Sequence, residues 1–311
     1  MKDVIRTERL SKRFGQARIP AVDEVSLSVG KGEIYGFLGL NGAGKTTTIR
    51  MLLGMIGPDS GAAYLLGKKV SAGRTDVWAK VGYMVETPYS YPELTVRENL
   101  ELVRRLRRIE NVRSIDAILA KLQLAPYRDR KAKNLSLGNA QRLGLAKALI
   151  HEPEILILDE PTNGLDPAGI VEVRELLREL AARHGVTIFL SSHLLGEVAK
   201  LATRIGIVHR GQLLKEMDVG ELQRNLKKSL LVNARDTEAA RIKLKGAGYR
   251  VERGDDGAMR LTDDGAIARP DNVAKLLVQA NLPPTLLKVQ EEELEAYFLR
   301  TIGMEGGVEP S

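Results

Sequence analysis

Eight residues, Gly39-Leu40-Asn41-Gly42-Ala43-Gly44-Lys45-Thr46, constrain the fold of this 311-residue chain more than any other feature. They fit the pattern G-x-x-x-x-G-K-[ST]. They stand between a buried-strand run, EIYGFLGL, and an apolar helical segment from about Lys45 to Gly54. A glycine-rich turn in that setting folds as strand, loop and helix. Its backbone N–H groups can curl around phosphate oxygens, where a side chain would block the approach. Lys45 places a point charge on β- and γ-phosphates, and the helix N-terminus adds its positive end. The Thr46 hydroxyl suits Mg²⁺, and Thr47 follows it in the same turn. Gly39 to Thr47 is therefore the expected nucleotide-binding element.

Ile155-Leu156-Ile157-Leu158-Asp159-Glu160 supplies the complementary chemistry. A near-continuous apolar run ending in two carboxylates has the character of a central parallel strand. Asp159 is placed to hold Mg²⁺ bridging the β- and γ-phosphates, and Glu160 to orient and deprotonate the attacking water. His193 follows strand VTIFLSS, so it sits at a carboxyl strand end, where open α/β sheets bind ligands. Short alternating strands fill residues 1–35, and the periodicity from about Glu93 to Leu149 is mostly helical, broken at Pro126 and by a loop at Asn134–Asn139. A helix over 168–183, another from near Leu194 and a hairpin, RIGIVHRGQLLKE, complete an alternation that predicts a mostly parallel sheet.

Composition removes several classes. With no cysteine, disulfides, thiolate metal sites and a cysteine nucleophile are all excluded. An apolar fraction of 43% and a charged fraction of 28% exclude wholesale disorder. No charge-free stretch approaches the ~18 apolar residues of a membrane-spanning helix. The start, MKDVIRTERL, lacks a signal peptide's apolar core, so the expected place is inside a cell. Residues 228–311 hold 12 basic against 14 acidic side chains, which leaves residues 1–227 with a surplus of nine positive charges. That surplus suits an anionic partner, a nucleotide, a nucleic acid or an acidic membrane surface. Aromatics at 4% argue against stacking platforms, and no nucleic-acid partner is expected. The run RRLRR at Arg104–Arg108 reads as a solvated helix face behind the helically spaced Leu100, Val103 and Leu106.

Beyond about Lys228 the pattern changes to strand 229–234, helix 237–246, strand 249–253, a turn at Gly254–Gly257, strand 258–262, helix 270–281 and strand 285–290. That order, βαββαβ, is the split-βαβ, ferredoxin-like arrangement. A final amphipathic helix, EEELEAYFLRTI, carries its acids in the first turn, where the macrodipole favours them, and a frayed tail follows.

Leu135-Ser136-Leu137-Gly138-Asn139-Ala140-Gln141-Arg142 stands 17 residues before the carboxylate pair and is similar to the signature loop of ATP-binding cassette (ABC) transporter ATPases, normally LSGGQ followed by QR. Residues 4–220 closely resemble that family. The resemblance implies ATP and Mg²⁺ as ligands, ATP hydrolysis coupled to transport, and an α/β phosphate-loop NTPase cassette. Such a cassette has a mostly parallel core sheet, an N-terminal antiparallel β subdomain and a helical signature subdomain, here about 88–150, within a domain of residues 1–225; residues 226–311 form the accessory domain. It also implies that Ser136 and the Gly138 N–H face the γ-phosphate of ATP held by the opposite subunit. Phe14, in SKRFG, takes the place of the aromatic that stacks on adenine. Asn163-Gly164-Leu165-Asp166 resembles the loop that crosses the dimer interface, and His193 the histidine that contacts γ-phosphate. The partners implied are a second copy of the ATPase and a separate membrane permease, with the chain peripheral at the cytoplasmic face.

Three positions depart from the family pattern. In VGYMVETPYSYPELTVRENL, Glu86 stands where most members have glutamine, and it is expected to act at the metal or on the attacking water. Leu137 replaces the second signature glycine and Asn139 the final glutamine. An E-T-P loop with S-L-G-x-x-Q-R-L-G resembles the exporters of bacitracin and lantibiotic self-protection, which implies export of a drug, peptide antibiotic or ion. The competing readings are a soluble cassette ATPase of translation or DNA repair, and an unrelated phosphate-loop kinase or GTPase. The first would usually bring two cassettes or long coiled-coil insertions, and the second lacks the signature loop; the chain has no N-K-x-D segment to read guanine.

Overall fold

The computed structural model describes residues 3–15, 18–71, 77–86, 89–254 and 257–303. Thr87 and Pro88 of the E-T-P segment, Asp255 and Asp256 of the expected turn, and the tail from Met304 lie outside them. The chain divides into two compact units, Met1–Val219 and Gly220–Ser311.

The first unit runs β1 (Asp3–Lys12), β2 (Val22–Gly30), β3 (Ile34–Leu38), α1 (Lys45–Leu52), β4 (Ser60–Leu65), β5 (Lys68–Lys69), β6 (Val81–Met84), α2 (Val96–Leu106), α3 (Ser114–Lys121), α4 (Leu137–Leu149), β7 (Ile155–Asp159), α5 (Pro167–His184), β8 (Thr187–Ser192), α6 (Leu195–Ala199), β9 (Arg204–His209) and β10 (Gln212–Asp218). Its central sheet has the order β10-β9-β3-β8-β7-β6, parallel except for β10 at the edge. A four-stranded sheet, β2-β1-β4-β5, is antiparallel throughout. β3, β7 and β8 are buried at every position, so they are covered on both faces and their sequences read as unbroken runs. β1 instead alternates, burying Ile5, Thr7 and Leu10. Val25, Leu27 and Val29 of β2 join Ile5 and Leu10 in one core with Tyr35, Phe37, Ile155, Ile157 and Phe189 of the central sheet. Tyr35 and Phe189 stack there with ring centroids 5.5 Å apart.

Helix ends follow local chemistry. The Thr95 side chain accepts from the Glu98 N–H, and Glu98 returns the bond to the Thr95 N–H, closing a capping box on α2. Asp166 caps α5 by accepting from the Gly169 N–H, Pro167 occupies its first turn, and Gly185 ends it at φ +65°. Two expectations need correction. α4 begins at Leu137, so Gly138 and Asn139 belong to its first turn and the expected loop ends at its cap, Ser136. Leu106 is 74% exposed, because α2 stops there and its buried positions are Val96, Asn99 and Leu100. Within RRLRR, Arg104 and Arg105 pair with Glu101, while Arg107 turns back to donate to the Trp78 and Val81 carbonyls. His151, just past α4, meets the same Val81 carbonyl through Nε2 at 3.1 Å. Burial, helped by the Arg107 guanidinium, pushes the His151 pKa down to about 4.

α7 (Val219–Asn225) leads into β11 (Lys228–Ala234), α8 (Thr237–Gly246), β12 (Val251–Arg253), β13 (Met259–Leu261), α9 (Asp264–Ala268), α10 (Pro270–Gln279), β14 (Pro284–Glu291) and α11 (Leu294–Thr301). The expected domain boundary at 225/226 and the division at 219/220 differ by α7. The second sheet has the order β12-β13-β11-β14 with every pair antiparallel. Leu230, Val232 and Ala234 alternate along β11 and pack with Leu244 of α8 and Val273 and Leu277 of α10. The short α9, absent from the sequence reading, adds Ala266 to that core.

Candidate functional site

The phosphate loop joins β3 to α1 at the carboxyl end of the central sheet. Asn41 to Thr47, with Ala21 and Glu160, line a cavity of about 240 Å³. Gly44 has φ +102°, and a Cβ there would stand 2.3 Å from the Ala21 carbonyl oxygen, so both the backbone conformation and the space demand glycine. It precedes α1 with no side-chain cap, leaving the helix's first N–H groups to the cavity. Lys45 is buried; its Nζ donates to the Gly39 carbonyl at 2.7 Å and the Leu40 carbonyl at 3.2 Å, and lies 3.5 Å from Glu160 Oε1.

Asp159 ends β7 at 2% exposure. The Thr46 hydroxyl donates to its Oδ2 at 2.8 Å and the Ser191 hydroxyl to its Oδ1 at 2.5 Å. Among the described residues no basic side chain pairs with this carboxylate. A buried carboxylate held only by hydroxyls, beside a phosphate loop, is a donor set that suits a hard cation. Glu160, next in the chain, faces both neighbours: Oε2 lies 2.8 Å from His193 Nδ1 and Oε1 faces Lys45. Three segments distant in sequence, residues 39–47, 159–160 and 191–193, thus converge on one crevice at the strand ends.

This chain is 39% identical over 307 residues to the bacitracin transport ATP-binding protein BcrA of Bacillus licheniformis, in an alignment covering 97% of this chain and 98% of that one. The chain belongs to the ABC transporter ATP-binding family. The family's ABC transporter domain matches residues 22–163, from before the phosphate loop to just past the carboxylate pair. The lantibiotic transport ATP-binding protein SrtF of Streptococcus pyogenes is 37% identical over 215 residues, covering 69% of this chain and 91% of that one. A dimeric structure of a bacterial ABC transporter cassette matches with a TM-score of 0.64 at 25% identity, covering 69% of this chain and 98% of that chain.

Other expected site residues of this ABC ATPase lie apart from the cavity. Ser136 caps α4 by accepting from the Asn139 N–H at 3.3 Å, and Gly138 is in that helix's first turn; neither lines the cavity. Asp166 serves as the cap of α5. Phe14 is half exposed beyond the end of β1, its ring centroid 5.8 Å from Lys12 Nζ. The Glu86 carboxylate pairs with Arg50 of α1 at 2.5 Å on an exposed surface, and among the described residues it makes no hydrogen bond to Thr46, whose hydroxyl goes to Asp159. The sequence reading missed Ser191 and Arg50. Two consecutive serines closing a fully buried strand, TIFLSS, are the signal that points to Ser191; Arg50 carries none, because its partner lies 36 residues away.

Proposed function

We propose that this chain hydrolyses ATP as the peripheral motor subunit of an exporter for a peptide antibiotic of the bacitracin or lantibiotic kind. It works at the cytoplasmic face, paired with a second copy and a separate permease. The observation that carries this reading is the convergence of Lys45, Asp159, Glu160 and His193 on the phosphate-loop cavity, in a chain aligned over nearly its whole length with a bacitracin transport protein. The signature loop's place outside that cavity supports head-to-tail pairing, in which Ser136 and Gly138 of one copy complete the site of the other. Phe14 supplies an exposed ring for adenine. No helix among the described residues is long and apolar enough to cross a membrane, which fits a motor acting on a permease in trans. Translation and DNA-repair roles find no support among relatives whose names describe transport.

Thr46 and Asp159 are the chain's own holders for Mg²⁺, which would supply charge neutralisation across the β- and γ-phosphate oxygens. Lys45 binds the same oxygens as a point charge, together with the free N–H groups of α1. Glu160 orients the attacking water and accepts its proton at the carboxylate. With the proton on Nδ1, His193 donates to Glu160 and holds that carboxylate in one rotamer. Lys45→Ala is expected to abolish tight ATP binding. Glu160→Gln should retain binding and accumulate closed dimers in Mg-ATP, measured by light scattering; turnover at the wild-type rate in that variant would refute the base. Co-purification with a polytopic protein from detergent-solubilised membranes tests the transport role, and recovery with ribosomes or DNA instead would overturn it.

A further inference from the structure

Gln141 lies in α4 at 3% exposure, three residues beyond Gly138 and two beyond Asn139 of the signature segment. Its Nε2 donates to two successive carbonyl oxygens, Glu160 at 3.2 Å and Pro161 at 3.1 Å. One side-chain atom offering protons to two carbonyls must belong to an amide or a cation, and only the amide does so without burying a charge. The turn it grips is one the chain would not choose unaided. Glu160 sits at φ +50°, a left-handed conformation that non-glycine residues avoid.

The same residue is held from the opposite side. The Glu160 N–H donates to the Ser191 carbonyl and to Ser191 Oγ, both at 3.2 Å. Its peptide is therefore clamped between β8 and α4, and the direction in which the carboxylate leaves the backbone is set by that clamp. α4 grips the following loop a second time through Leu137. A Cβ on Gly164, at φ +76°, would stand 2.3 Å from Leu137 Cδ2, so the leucine occupies the space beside that glycine.

We propose that Gln141 is a positioning residue for the Glu160 carboxylate, through which α4 sets whether that carboxylate is in place to act on water. The inference rests on the reading of Glu160 given above. Ser136 caps the same helix five residues earlier, about 7.5 Å along its axis. Engagement of the signature loop and placement of the base thus belong to one rigid element.

Gln141→Leu removes both donors at similar size, and Gln141→Glu keeps the shape but turns only acceptors toward the two carbonyls. Displacing a catalytic group by ~1 Å can cost ~100-fold in rate. Both variants are expected to lower kcat at least tenfold, with ATP affinity changed less than twofold in a fluorescent-nucleotide titration. Both should also accumulate closed dimers in Mg-ATP, as Glu160→Gln does. Wild-type turnover in either folded variant overturns the proposal. So does a loss of turnover matched by an equal loss of ATP affinity, the result a purely structural role would give. Should Gln141→Leu fail to fold, Gln141→Glu carries the test alone. The Glu160→Gln control separates the two levels. If the control still hydrolyses ATP, the reading of the site fails; if it traps dimers and the Gln141 variants do not, the role of Gln141 alone falls.

Discussion

Glu86 and Asp159, two carboxylates that a family pattern would bring to one metal, differ in their partners. Asp159 is buried with two hydroxyls and no cation among the described residues. Glu86 lies on the surface and is neutralised by Arg50. An ion already paired with a guanidinium has little left to offer Mg²⁺. We therefore expect Mg²⁺ titrations at fixed ATP to superimpose for the wild type and Glu86→Gln, and a shallower dependence in the variant would place the carboxylate at the metal after all. The phosphate loop and the carboxylate pair were legible in the sequence because their spacing is local: a few neighbouring residues carry the whole pattern. The Ser191–Asp159 bond and the Gln141–Glu160 bond join residues 32 and 19 apart. No local pattern announces such pairs, since it is the packing of strands and helix that creates them.

Among elements, β6 is tied at its start to both α2 and α4 through the Val81 carbonyl, which accepts from Arg107 and meets His151. Among the described residues the His151 Nδ1 has no hydrogen-bond partner, so protonation would leave a buried, unpaired N–H beside a guanidinium. Its folded pKa of about 4 lies below the ordinary 6.5. The unfolded chain then takes up the proton more readily. The stabilisation is present in full above about pH 6.5 and is lost as the pH falls from there towards 4. Discounted for partial exposure of the ring, the effect is about 1–2 kcal/mol. Between pH 7.5 and 5.0 the melting temperature should fall roughly 3 °C further in the wild type than in His151→Gln; equal falls in a thermal melt would mean another group dominates. The same part of the chain shows where elements escape a sequence reading. VGYM in β6 and SGAAYL in β4 are short and glycine-bearing, without alternation or a long apolar run, and pairing with neighbouring strands makes them strands. β7 and β8, buried on both faces, announce themselves.

Across the whole molecule, every nucleotide motif falls in the unit Met1–Val219. The second unit has its own alternating sheet and apolar core. We propose that it regulates the ATPase or supports its pairing. A chain ending after Asn225 is expected to fold and to bind ATP with affinity close to that of the full chain, as measured by nucleotide titration. Loss of binding in a folded, soluble truncation would show that the cut runs through a necessary core. In the second unit β11 was readable because its alternating apolar positions survive translation into a packed sheet. The extra turn of α9 was not, being five residues long. One feature of the first unit reaches beyond the single molecule: the signature loop stands outside the cavity that its own chain's Lys45 lines. Copies that must complete one another obey the statistics of pairing. In a cell making equal amounts of intact chain and a Lys45→Ala copy that still pairs, only about a quarter of randomly formed dimers would hold two sound partners. One defective copy would then leave about three quarters of the dimers with at least one incomplete site.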